Sequence, residues 1–183
     1  MLLLKKTVEE FLVKAIYLTG FMGAGKTTIG EQLGIELSLP VIDTDKEIEK
    51  KQGLTIKQIF EQYGEAYFRE LETEILKTLP SENVIITTGG GIVIKRENRE
   101  LMKNNGQIIL LHAEIDVVYD RIHADPNRPI ASKKSKQQLA SLYLSRKSFY
   151  EDCSIKIETG NKSIAEIVKD MILRLKKVEI GHN

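Results

Sequence analysis

The sequence predicts an α/β fold in which a parallel sheet carries helices on both faces. Three observations point there. Short apolar runs alternate with helix-period segments five times, a glycine-rich turn joins the first run to the first helix, and the composition is that of one globular unit. Right-handed crossovers then restrict the topology, and a ligand is expected beyond the carboxyl ends of the strands.

The strand-like runs are Ala15–Leu18, Val41–Ile42, Val84–Ile86, Ile108–Leu111 and Ile155–Ile157. After the first comes Gly20-Phe21-Met22-Gly23-Ala24-Gly25-Lys26-Thr27, which fills the pattern Gly-x-x-x-x-Gly-Lys-[Ser/Thr], and then the helix-like Thr28–Leu33. Glycines let several backbone N–H groups converge on one anion, and the helix adds the positive end of its dipole. In such a loop Lys26 reaches the β- and γ-phosphates, and the Thr27 hydroxyl takes a place on Mg²⁺. The bland alternative is a turn that only joins strand to helix.

After the second run comes Asp43-Thr44-Asp45, two carboxylates on the same rim. One could hold a Mg²⁺-bound water and the other could meet a substrate hydroxyl. Asp45 could equally be an acidic N-cap for a helix over Lys46–Lys51. A Thr55-x-x-Gln58 capping box predicts a short helix with Ile56, Ile59 and Phe60, ended by Gly64, before a second helix over Glu65–Leu79. A simple βαβ crossover needs one helix, so the surplus suggests an inserted substrate-binding lobe. On the second of these helices Glu72 stands three residues after Arg69 and can hold its guanidinium for a carboxylate or phosphate. The third run leads into Gly89-Gly90-Gly91, whose bare backbone a ligand could approach closely; a flexible turn is the alternative.

Ala124–Lys136 has two prolines, basic clusters and no apolar period, which predicts a lid-like loop. The last helix opens with Ser163-x-x-Glu166 and places Ile164, Ile167, Val168, Met171, Ile172 and Leu175 on one core-facing side.

The composition narrows the function. With 27 Lys and Arg against 26 Asp and Glu in 183 residues, spread along the chain, nucleic acid is not an expected partner. The Lys133-Lys134-Ser135-Lys136 patch reads as a solvated loop. No apolar stretch approaches membrane-spanning length, and the start Met1-Leu2-Leu3-Leu4-Lys5-Lys6 does not read as an export signal. The lone Cys153 excludes an internal disulfide and suits a packing role in a reducing, cytoplasmic setting. A GTP switch is disfavoured, because Asn161-Lys162-Ser163-Ile164 lacks the Asp of a guanine reader and no Asp-x-x-Gly occurs.

Taken together and in order, Gly20 to Gly30, Asp43-Thr44-Asp45, Phe68-Arg69-Glu70-Leu71-Glu72, Gly89-Gly90-Gly91, Arg128-Pro129 and Arg146 resemble the shikimate kinase family over about residues 14–175. The resemblance implies a P-loop kinase fold of the nucleoside monophosphate kinase type. That fold has three α/β/α layers around a five-stranded parallel sheet, with inserted substrate-binding helices and a mobile lid. It implies one domain over 1–183, with its core at about 14–177, its insert at about 44–72 and its lid at about 123–137. By position, Gly23, Ala24, Gly25, Lys26, Thr27 and Thr28 resemble the ATP phosphate cradle, with Thr27 and Asp43 as the Mg²⁺ holders. Asp45 resembles the partner of the attacking hydroxyl. Arg69 and Arg146 resemble the arginines that bind the shikimate carboxylate, and Gly90 and Gly91 the backbone donors to the ring substituents. Arg128 corresponds to a lid arginine that reaches the transferring phosphate, so the implied catalytic set is Asp45, Lys26 and Arg128. Arg121 corresponds to an arginine packed near adenine, which the loop Glu158–Ser163 would flank from the other side.

The resemblance further implies ATP and Mg²⁺, small-molecule partners only, a monomer, and phosphorylation of the shikimate 3-hydroxyl on the route to chorismate. The rivals are a gluconate or nucleotide kinase of the same fold and a non-catalytic ATP-binding module. Lys46-Glu47-Ile48 follows Asp45 where gluconate kinases carry a His-Pro signature. Arg69 and Arg146 suggest a small carboxylate rather than a base.

Overall fold

Every strand the apolar runs predict is present in the computed structural model, which describes residues 13–124 and 134–180. In chain order the elements are β1 (Ala15–Thr19), α1 (Lys26–Leu37), β2 (Val41–Asp43), α2 (Thr44–Gln52), α3 (Ile56–Thr78) and β3 (Ile85–Thr87). A 3₁₀ turn (Ile92–Ile94) follows, then α4 (Arg96–Asn105), β4 (Gly106–His112), α5 (Ile115–Ala124), α6 (Lys136–Leu144), α7 (Lys147–Tyr150), β5 (Ile155–Glu158) and α8 (Ile164–Ile180).

The five strands form one sheet in the order β2-β3-β1-β4-β5, every neighbouring pair parallel. The central strand must therefore be buried on both faces, and all five residues of β1 are. Its alternation divides the core: Ile16 and Leu18 pack with Ile29 and Leu33 of α1 and with Ile167, Val168 and Met171 of α8. Tyr17 faces the other way, onto Met102 of α4, Val118 and Ile122 of α5, and Leu139 of α6. Three layers follow from a period of two along one strand.

The last helix begins as its capping box predicts, with Ser163 N donating to Glu166 and Glu166 N donating back to Ser163 Oγ, at 2.8 and 3.3 Å. Its apolar stripe is narrower than the sequence suggests. Ile164, in the first turn, is 42% exposed. The predicted pair of helices after Thr55 is a single assigned helix α3 broken at Gly64, whose φ of 80° and ψ of 175° interrupt the helical backbone. The Thr55–Gln58 box caps its start. The apolar residues of this region form a satellite core of Ile48, Ile59, Phe68, Leu71 and Ile75, joining α2 to α3.

The cap of α2 corrects an expectation. Asp43, not Asp45, is the N-cap, accepting from the backbone N–H groups of Asp45 and Lys46, and the helix starts at Thr44. Asp45 is thereby left in the first helical turn with its carboxyl aimed elsewhere. Among the described residues no helix is long and apolar enough to cross a membrane.

Candidate active site

Parallel pairing brings the carboxyl ends of the strands to one rim, and a cavity of about 640 Å³ lies there. Its lining contains Gly23, Gly25, Lys26, Thr27 and Thr28 from the phosphate loop, Asp43 and Asp45 beside β2, and Arg69 and Glu72 from α3. Gly90, Gly91 and Arg146 complete the predicted residues found there. Ala24 is buried beneath the loop, where only its backbone can serve a ligand. Arg128 lies outside the described residues, as do residues 125–133 of the predicted lid.

Gly23 and Gly25 have φ of 78° and 94°, in the left-handed region that turns the loop back toward α1. Lys26 Nζ folds over this loop and donates to the carbonyls of Gly20 and Phe21 at 2.8 and 3.0 Å. Arg121 does not line the cavity; it donates to the carbonyls of Gly23, Thr159 and Gly160, tying the phosphate loop to the segment after β5. That places Arg121 against the very loop expected to flank adenine. Thr159 reinforces the tie, its hydroxyl lying 3.2 Å from the Ala24 carbonyl and 3.0 Å from that of His112.

Asp43 stands opposite Thr87 in the β2–β3 register, and Thr87 Oγ1 donates to its Oδ2 at 2.8 Å. The same oxygen lies 3.5 Å from Thr27 Oγ1. A hydroxyl and a carboxylate facing each other at the mouth of a phosphate loop are hard oxygen donors of the kind Mg²⁺ takes. Among the described residues no cluster of three His, Cys, Asp or Glu could hold a metal.

Beside the glycine triplet two carboxyls lie close to Gly89. Burial, with the neighbouring Asp43 charge, pushes Asp45 up to about 6, against the pull of Lys26 and Arg69. Glu72 is fully buried, and burial pushes it up to about 7 despite the Arg69 guanidinium. Asp45 Oδ1 and Glu72 Oε1 are both buried without a hydrogen-bond partner among the described residues. Arg69 is held from both sides, by Glu72 Oε2 at 2.8 Å from Nη1 and by Glu65 Oε1 at 2.7 Å from Nη2. Asp45, Arg69 and Arg146 line the cavity together, a carboxyl able to meet a hydroxyl beside two guanidiniums that suit an anion.

The glycine triplet is bare for a visible reason. A Cβ on Gly89 would sit 2.6 Å from Asp45 Oδ1, and one on Gly91 would sit 2.4 Å from both terminal nitrogens of Arg69. Gly91→Ala is expected to fold, because the contact falls on the far end of a side chain, yet to displace the guanidinium. Initial rates should show kcat/KM for the acceptor reduced by up to about 10²-fold, the scale of a 1 Å misplacement.

Sequence reasoning missed several groups. Glu65 and Lys134 line the cavity, the latter from the patch expected to be a solvated loop. Tyr150 donates its hydroxyl to the Gly90 carbonyl, and burial pushes it up to about 12, opposed by the adjacent Arg146. A lone tyrosine four residues after an arginine carries no signal of such a contact. Glu65 could have been found, since it stands four residues before Arg69 on one helix.

Comparison with known proteins identifies the family. The family described as shikimate kinase matches residues 22–176. Shikimate kinase of Bacillus cytotoxicus is 48% identical over 163 residues, covering 89% of this chain and 99% of that one. That of Enterococcus faecalis is 44% identical over 168 residues, covering 90% and 100%. Among solved structures, shikimate kinase from Acinetobacter baumannii in complex with shikimate superposes with a TM-score of 0.86 at 34% identity, covering 94% of this chain and 97% of that one. Shikimate kinase from Aquifex aeolicus gives 0.77 at 38% identity, covering 91% and 99%.

Proposed function

Because the chain belongs to the shikimate kinase family, we propose that its cavity transfers the γ-phosphoryl group of ATP to the 3-hydroxyl of shikimate, giving shikimate 3-phosphate and ADP. The observation that carries this reading is that Asp45, Arg69 and Arg146 line one cavity together with the phosphate loop. Shikimate brings three hydroxyls and one carboxylate, the complement of that set.

The roles follow from position. The loop amides of residues 23–28 and the Lys26 ammonium cradle the phosphates, and charge on the transferring group is neutralised where it accumulates. Thr27 and Asp43 would hold Mg²⁺, which would offset phosphate charge and lower its repulsion toward the nucleophile. Arg69 and Arg146 orient the acceptor through its carboxylate. Gly90 and Gly91 approach its ring, and Asp45 receives its hydroxyl. The acceptor oxygen then bonds to the γ-phosphorus as the bond from that phosphorus to the bridging oxygen of ADP breaks, and the hydroxyl proton passes to the Asp45 carboxylate. Asp45 cannot deprotonate an alcohol beforehand, so the proton moves as the new bond forms. Arg128, Arg121 and the insert at 44–72 are assigned by the same positional reading, with Arg128 completing the charge neutralisation from the lid.

A coupled assay for ADP release with and without shikimate tests the proposal. Release that depends on shikimate supports it; release with gluconate or a nucleotide in its place, or binding of ATP with no turnover, overturns it. The pH profile offers a second check. Asp45 must be ionised to accept the proton, so kcat/KM for shikimate should fall as pH drops through about 6. A flat profile between pH 5 and 8, measured at fixed ionic strength, would remove Asp45 from that role.

A further inference from the structure

The turn after the glycine triplet presents three consecutive carbonyls, and each is bound by a side chain of α4. Asn98 Nδ2 donates to Ile92 O at 3.0 Å, while Arg99 Nη1 donates to Val93 O at 2.6 Å and Ile94 O at 3.2 Å. Neither residue lines the cavity. Both, however, reach onward in different directions. Asn98 is fully buried and its Oδ1 accepts from Thr73 Oγ1 at 2.7 Å, one turn along α3 from Arg69. Arg99 Nε donates to Asp152 at 3.1 Å and its guanidinium lies 4.9 Å from the centre of the Phe149 ring. Lys103, one turn further along α4, pairs with the same Asp152. Phe149 and Asp152 flank Tyr150, which holds the Gly90 carbonyl from the helix that Arg146 caps.

Two adjacent residues of α4 therefore bind the turn below the glycine floor and connect it to the helix of Arg69 on one side and to the helix of Arg146 on the other. We propose that Asn98 and Arg99 are positioning residues that fix the spacing of Arg69 and Arg146 across Gly90 and Gly91, and thereby the affinity for the carboxylate end of the acceptor. The proposal rests on the reading of those two arginines as the carboxylate site. The phosphate loop is anchored separately, through Arg121 and Thr159. A fault in the α4 bracket should consequently be felt by the acceptor and not by ATP.

The test is initial-rate kinetics of Arg99→Ala, Arg99→Lys and Asp152→Asn, with thermal unfolding measured alongside. Arg99→Ala should raise KM for shikimate about tenfold, the effect of losing charged hydrogen bonds, with KM for ATP within about twofold of wild type. Arg99→Lys should recover part of the loss, since it keeps the charge facing Asp152 but not the planar fork. Asp152→Asn should move KM in the same direction by less. Should Arg99→Ala fail to fold, the other two variants decide. A KM for shikimate unchanged in all folded variants, or equal shifts for both substrates, overturns the inference alone. A wild-type protein that does not turn over shikimate overturns the functional reading and this inference with it.

Discussion

Asp45→Asn is expected to lower kcat by about 10²- to 10⁴-fold, the range of a positioned general base, while KM for ATP stays close to wild type. Asparagine matches the aspartate in size and can still hold a hydroxyl in place, but it cannot take the proton when the phosphorus–oxygen bond forms. The same substitution should make the protein more resistant to heat at pH 8. Burial raises the folded-state pKa of Asp45 to about 6, above its unfolded value, so the folded state binds more protons between those two values. Stability is accordingly present at low pH and lost as pH rises through about 6, where the buried carboxylate ionises without enough compensation. Removing the charge relieves that cost at pH 8, and the advantage should vanish below about pH 4, near the ordinary carboxylate value. Steady-state kinetics and melting curves on one preparation read both effects. A variant that keeps near-normal kcat would exclude Asp45 as the proton acceptor.

Arg69→Ala should raise KM for shikimate by about 10²-fold or more, because a carboxylate loses its forked partner in a desolvated site. Its second consequence concerns Glu72. That carboxyl is fully buried, and Arg69 is the chief influence holding its pKa down to about 7. Without the guanidinium the pKa must rise, so Glu72 will carry a proton across the whole neutral range rather than strand a charge. Unfolding of the variant at pH 9, where that proton is hardest to retain, should show a larger destabilisation than at pH 6. If ATP dependence shifts instead of shikimate dependence, Arg69 does not hold the acceptor.

The positions of the strands were legible because a parallel sheet buried on both faces leaves continuous apolar runs, as in Ala15–Leu18 and Ile108–Leu111. The strand order was not, since the runs β2 and β3 flank long helical insertions and nothing local says which neighbours β1. The phosphate loop and the acidic pair were visible as contiguous motifs. The division of labour within that pair was not: whether Asp43 or Asp45 caps α2 depends on backbone angles at one residue, φ −104° and ψ 120° at Asp43. Glu65 was readable from its i, i+4 spacing to Arg69, whereas Lys134, Tyr150 and the Asn98–Arg99 bracket were not, for a common reason. Each acts through a contact made in space, and ordinary polar residues at ordinary spacings leave no trace of it in one dimension. The glycine triplet shows the reverse case, where the sequence indicated close approach but the structure shows that the chain's own Asp45 and Arg69 are among what approaches.

Asp43 performs three tasks with two oxygens: it caps α2, receives the Thr87 hydroxyl and faces Thr27. Architecture and the proposed ion chemistry thus meet at a single residue. Exchanging the side chain for an apolar one would loosen the start of the helix that bears Asp45 as well as remove the oxygen facing Thr27, while Asn or Ser would keep the cap and give up the charge. Adaptation to a different divalent ion through this residue would therefore be confined to side chains that still cap the helix.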